Sequence, residues 1–163
     1  MKTNLLTEIS ESVLNQALQS EFTAFYLYRH IALQCQKLGL FGAQKFFSAE
    51  SDDEQAHAKR IENYFNDRGS VAALPAIESP DVEINGLLDA IKAGYKVETD
   101  LGNQYAKAYS LVLAKDPTTA QFLLESLEIQ RLSIGEYGDW VARLELVGDD
   151  KCGVLMIDKE LGN

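Results

Sequence analysis

Residues 46–61 read FFSAESDDEQAHAKRI. Within them Phe47, Glu50, Glu54, His57 and Ile61 recur at alternating spacings of three and four, the period of one helix face. That face is apolar at its ends and polar in its middle. Followed outward it gains Ala43 and Tyr64, inside a helix expected from Phe41 to Arg68 and bounded by Gly39 and Gly69.

The remainder of the chain repeats this pattern. Prolines occur only at 75, 80 and 117, and the segments between them are rich in Ala, Leu, Glu, Gln and Lys. Helices are expected from Ser10 to Lys37, from Ile84 to Ala114 (broken by Asp116-Pro117), and from about Thr118 to Val147 before Gly148. A short amphipathic piece, Val154 to Leu161, closes the chain. The first and last long connections are a few residues each, so the helices they join form antiparallel hairpins. The middle connection, Gly69 to Glu83, is about 15 residues long and spans about 50 Å when extended, enough to run the roughly 42 Å length of the first helix. The expected fold is therefore all-α: a single domain over residues 1–163, built as a four-helix bundle with a long crossover between its second and third helices and a short C-terminal fifth helix.

Composition narrows the functional classes. At 46% apolar and 25% charged the chain is not of the disordered type, and no apolar run approaches the roughly 18 residues of a membrane span. The start lacks a secretory pattern, and Cys35 and Cys152 make neither a disulfide framework nor a thiol metal cluster, so a cytoplasmic, reducing compartment is expected. A plastid location is the alternative if a targeting segment has been removed. Twenty-five acids against fifteen bases leave a net charge of −10, with no basic stripe to follow nucleic-acid phosphates.

The inward stripes carry the chemistry. The first helix presents Leu14, Leu18, Glu21, Phe25, Tyr28, Ala32 and Cys35; the third presents Ile91, Gly94, Glu98, Leu101 and Tyr105; the fourth presents Leu123, Leu127, Gln130, Ile134 and Tyr137. His30 falls off its stripe and reads as surface. Glu21, Glu54, Glu98 and Gln130 each lie near the midpoint of their helix, so in a bundle of similar helices they meet in one layer. Unpaired buried charge is destabilising by several kcal/mol, and no stripe supplies a Lys or Arg to neutralise it. Bound cations fit that deficit. Carboxylates with one imidazole and no thiolate suit iron, manganese or zinc. Di-iron carboxylate bundles place a Glu on each of two helices and Glu-x-x-His on the other two. Here Glu54-x-x-His57 is present, but the fourth helix offers Gln130-x-x-Ser133.

With Glu21 and Tyr28, the run 46–61, Tyr95-Lys96-Val97-Glu98, Gln130 and the closing Ile157-Asp158-Lys159-Glu160-Leu161, the chain resembles the non-haem ferritins of bacteria and some algae, in their ferroxidase-bearing form. The resemblance implies a homo-oligomeric cage of 24 subunits. Iron(II) would be oxidised by O2 at a di-iron centre within each subunit, and ferric mineral stored inside. It further implies that Glu21, Glu54 and His57 hold the first iron, that Glu54, Glu98 and Gln130 surround the second, that Tyr28 supplies a further electron, and that Glu50 serves a weak third site. Haem is not expected: Gln55 stands where bacterioferritin has its haem methionine, and the fourth helix lacks a second Glu-x-x-His. Ser133 and Ile134 replace a third-site glutamate common in bacterial ferritins, Ala56 and Lys59 replace nucleating acids, and Ala120 and Leu123 replace pore acids. The alternative, a non-storing di-iron oxidase or peroxidase of rubrerythrin-like type, calls for the second Glu-x-x-His motif and extra cysteines that this chain lacks. The apolar Val154, Leu155, Ile157 and Leu161 are expected to be covered only at a symmetry axis of the cage.

Overall fold

The computed structural model describes residues 2–163 as five helices, α1 (Glu8–Leu38), α2 (Phe41–Asp67), α3 (Leu87–Val112), α4 (Pro117–Val147) and α5 (Lys151–Leu161), with no strand among the described residues. No helix among them is long and apolar enough to cross a membrane. The first four make the bundle. Cross-helix hydrogen bonds set their directions: Tyr105 reaches Glu21 while Tyr28 reaches Glu98, so α1 and α3 run antiparallel. Arg60 reaches Ser126 while Tyr137 reaches Glu50, so α2 and α4 do too. α2 and α3 are consequently parallel, and the crossover joins them.

Local chemistry explains the helix ends. Thr7 caps α1, its hydroxyl accepting from the Ser10 N–H at 3.1 Å. Gly39 ends the helix with φ 79°, a left-handed conformation that glycine adopts without penalty. Asp116 caps α4 ahead of Pro117, accepting from the Thr119 N–H at 3.1 Å. The same carboxylate accepts from the Ser10 hydroxyl at 2.9 Å and from Arg68 at 3.3 Å, tying three helix ends into one knot.

The crossover is laid along α1. Its beginning is held by the Ala73 N–H donating to Asn15 Oδ1 at 2.9 Å, and its end by the Ile84 N–H donating to Gln34 Oε1 at 2.8 Å. Those anchors are separated by about 28 Å of helix, so the segment travels nearly the length of the bundle. His30, expected at the surface, is half-buried: its Nε2 lies 3.0 Å from the Val82 carbonyl and 2.7 Å from the Gln34 amide nitrogen. His30 lies off the inward stripe of α1, and the crossover supplies a second surface for it to pack against. α3 begins at Leu87 rather than Ile84 because residues up to Gly86 serve as this tether.

α5 also departs from expectation. Asp150 caps it by accepting from the Cys152 N–H at 3.1 Å, so it starts at Lys151, one turn earlier than its apolar pattern. It does not wait for a symmetry axis to find cover. It folds against the start of α2, burying Ile157, Asp158 and Leu161, and leaves Leu155 and Met156 exposed. Leu40 gives α2 no side-chain cap; instead Asp158 accepts from the N–H groups of Gly42 at 3.1 Å and Ala43 at 2.8 Å. The approach requires glycine, since a Cβ on Gly42 would lie 1.6 Å from the Asp158 carbonyl oxygen.

Candidate metal centre

The core is apolar except at mid-height. Leu14, Leu18, Phe47, Ile61, Ile91 and Leu123 fill the layers above and below a band formed by Glu21, Glu54, Glu98 and Gln130, each at most 4% exposed. α1 supplies Glu21, α2 supplies Glu54 and His57 one turn apart, α3 supplies Glu98 and α4 supplies Gln130. Glu21, Glu54 and His57 each bring one ligand atom to within 4.8 Å of the others. His57 Nδ1 lies 3.4 Å from Glu54 Oε2 and 3.8 Å from Glu21 Oε2.

No Lys or Arg among the described residues forms an ion pair with Glu21, Glu50, Glu54 or Glu98. Arg60, at the edge of the band, is committed elsewhere. It donates to Ser126 at 3.0 Å, to the Phe122 carbonyl at 3.1 Å and to Glu125 at 2.9 Å. The acids respond as uncompensated buried charge must. Burial, then the neighbouring Glu54, holds Glu21 well above the usual carboxylate range. Burial pushes Glu54 up to about 8, against the hydrogen bond it shares with Glu21 and with the charges of Glu98, Glu50 and Asp53 adding to the rise. Burial raises Glu98, opposed by the Tyr28 hydroxyl. Glu21 Oε2 is buried without a hydrogen-bond partner, the His57 Nδ1 lying 3.8 Å away. That oxygen is satisfied by a proton or by a cation, and the donor set of two carboxylates and an imidazole fits a hard divalent ion.

Each remaining predicted residue has a definite place. The Tyr28 hydroxyl donates to Glu98 Oε1. The Gln130 amide nitrogen, in the orientation its neighbours require, lies 3.0 Å from Glu98 Oε2 and 3.0 Å from the Glu98 carbonyl oxygen, and donates to both. It steadies Glu98 in this arrangement rather than pointing its oxygen at a cation. Glu50 sits one turn before Glu54, half-buried, and accepts from the Tyr137 hydroxyl at 2.9 Å. Glu50, too, is raised by burial, to about 7.

Two residues of the site were read in the sequence only as apolar stripe positions. Tyr105 donates to Glu21 Oε1 from α3, and Tyr137 donates to Glu50 from α4. The available signal was a tyrosine where phenylalanine would fill a fully buried position equally well, because a buried phenol requires an acceptor. Every acid of the layer except Glu54 therefore has its own tyrosine.

An intrasubunit layer of carboxylates and one histidine inside a long-crossover bundle defines a class, and comparison with known proteins agrees: residues 11–147 match the ferritin-like domain, and the chain belongs to the ferritin family. Its relatives narrow this to the non-haem ferritins, iron-storage proteins. A probable bacterial non-heme ferritin-like protein of Haemophilus influenzae is 29% identical over 160 residues, covering 98% of this chain and 97% of that one. A bacterial non-heme ferritin of Staphylococcus epidermidis is 29% identical over 151 residues, 92% of this chain and 91% of its own. Among solved structures, an open pore ferritin from Archaeoglobus fulgidus superposes with a TM-score of 0.93 at 27% identity, covering 96% of this chain and 98% of that one.

Proposed function

We propose that this ferritin is a ferroxidase that oxidises iron(II) with O2 at a di-iron centre inside each subunit and stores the product as ferric mineral within a cage of 24 copies. The observation that carries the reading is the Glu21–Glu54–His57 cluster, its two carboxylates buried and its imidazole partly so, with no Lys or Arg ion-paired to it and an orphaned Glu21 oxygen. In this reading iron(II) is the substrate. Glu21, Glu54 and His57 take the first ion, and Glu54 together with Glu98 takes the second, with Gln130 beside them. Binding displaces the protons that the raised carboxyls retain near neutrality. Two iron(II) ions then yield two electrons, which O2 accepts. Tyr28, bonded to Glu98, is assigned a further electron, and Glu50 a weak third position on the way to the cavity. The non-storing di-iron oxidase alternative draws no support from the fourth helix, which contributes no Glu-x-x-His.

Exposed apolar side chains on α1, α2 and the crossover, among them Leu33, Phe41, Val71 and Leu74, support subunit contacts, as do Leu155 and Met156 on α5. The two free cysteines suit a reducing, cytoplasmic setting. The test is an anaerobic iron(II) titration followed by O2, with particle mass measured by light scattering. Two iron(II) ions oxidised rapidly per chain, in a particle of 24 chains, is the expected result. Slow, stoichiometry-free oxidation indistinguishable from protein-free buffer overturns the ferroxidase reading, and a monomer or dimer that still oxidises iron overturns the storage reading.

A further inference from the structure

Of the three buried tyrosines at the layer, Tyr105 alone bonds to a member of the Glu21–Glu54–His57 cluster. Tyr28 serves Glu98, and Tyr137, whose ring packs onto Gly94 where a Cβ would come within 2.2 Å, serves Glu50. Tyr105 is 2% exposed on α3 and donates to Glu21 Oε1 on α1. The pairing is reciprocal. Tyr28 follows Glu21 by seven residues on α1, and Tyr105 follows Glu98 by seven on α3. Seven residues are two turns of one helix face, so the antiparallel helices exchange one phenol–carboxylate bond in each direction. The two halves differ at the second oxygen. Glu98 Oε2 accepts from the Gln130 amide, whereas Glu21 Oε2 has no partner. That open oxygen, rather than the one Tyr105 holds, is the one 3.8 Å from His57 Nδ1. A cavity of about 10 Å³ lies beside them, lined by Glu21, His57, Tyr105 and Gln130 among others, about the room one water or one small ion takes.

We infer that Tyr105 is the positioning residue of the cluster: by holding Glu21 Oε1 it turns Oε2 toward Glu54 and His57, so that a first divalent cation meets a carboxylate already aimed at it. The inference rests on the proposed metal centre and adds to it the group that orients one ligand. Tyr105 acts through Glu21 alone. Its bond leaves Glu21 free to ligate, since a carboxylate has lone pairs beyond the one a phenol occupies. What the bond removes is rotation of the side chain. A glutamate fixed before the cation arrives loses no such freedom on binding, and the cation is held more tightly for it. Without the hydroxyl the affinity should fall about tenfold, the order of one hydrogen bond to a charged group.

The experiment titrates the full cation-free chain with cobalt(II) without oxygen and follows the visible bands of the bound ion in the wild type, Tyr105→Phe, Glu21→Ala and the double variant. Phenylalanine keeps the ring and its packing, and helical circular dichroism checks each fold. The expected result is a first cobalt bound about tenfold more weakly in Tyr105→Phe than in the wild type. Glu21→Ala, with Glu54 and His57 left to bind, should hold cobalt equally well with tyrosine or phenylalanine at 105, as a double-mutant cycle requires of a role exerted through Glu21. A first-cobalt affinity unchanged or raised in Tyr105→Phe overturns the inference. So does a loss that persists when Glu21 is alanine, because that effect would come from packing. If the wild type binds cobalt at the layer and only the Tyr105 effect is missing, the positioning role alone fails. If the wild type binds none there, the metal centre and the positioning role fall together.

Discussion

Replacing Glu54 by glutamine should stabilise the cation-free protein, and by an amount that grows with pH. Burial lifts the Glu54 carboxyl from an ordinary 4.5 to about 8 in the folded chain. A carboxyl whose folded pKa lies above its unfolded one contributes stability that is complete below the unfolded value and lost as pH rises through the folded value. In the wild type that loss occupies the window from about 4.5 to about 8. At about 1.4 kcal/mol per pH unit the displacement is worth at most about 5 kcal/mol. Part of the rise comes from neighbouring carboxylates that respond in turn, so about 2–3 kcal/mol is the share expected from Glu54 alone. The glutamine variant is neutral throughout. For a chain of this size each kcal/mol moves the melting temperature by about 2–4 °C, so the variant should melt about 5–10 °C above the wild type at pH 9 and nearly level with it at pH 5. The assay is scanning calorimetry with a chelator present, both proteins at one scan rate. Adding zinc(II) should reverse the order, because a ligand that binds the folded wild type stabilises it by mass action. Parallel melting curves from pH 5 to pH 9, or a glutamine variant that melts lower at pH 9 without cations, would refute the reasoning.

Three further outcomes follow from the same geometry. His57→Ala removes the one imidazole of the cluster and should abolish the fast phase of iron(II) oxidation in stopped flow while leaving the helical circular dichroism intact; a wild-type rate would remove His57 from the site. Glu50→Ala should slow later turnovers and mineral growth far more than the first burst, read as absorbance over repeated iron additions, and a collapse of the first burst would instead make Glu50 part of the primary pair. Gly94→Ala drives a methyl group into the Tyr137 ring and should destabilise the apoprotein by about 1–3 kcal/mol in chemical denaturation; an unchanged midpoint would mean that the ring is free to move.

Much of this was legible along the chain because helical periodicity is local. The stripe residues Leu14, Glu21, Tyr28, Phe47, Glu54, Ile91, Glu98 and Gln130 are all buried as their spacing required, and the length of the middle connection dictated the crossover. Partners that depend on how helices are rotated and staggered were not legible. Tyr105 meets Glu21 across 84 residues, Tyr137 meets Glu50 across 87, and Asp158 caps α2 across more than a hundred. Nothing within a window of one or two helical turns encodes those pairings. His30 failed for a related reason: a proline-bearing segment without periodicity gave no sign of where it would lie, and it lies on His30.

The Gly94–Tyr137 contact has an evolutionary consequence. A Cβ at position 94 would lie 2.2 Å from the Tyr137 ring, so a side chain there and the aromatic ring at 137 are each acquired at the other's expense. The two positions are therefore expected to vary together although they sit on different helices, and the hydroxyl that meets Glu50 would travel with them. Homologues should therefore divide into two kinds: those with glycine and tyrosine together, in which this glutamate has a fixed neighbour, and those with a larger residue at 94 and a smaller one at 137, in which it has none.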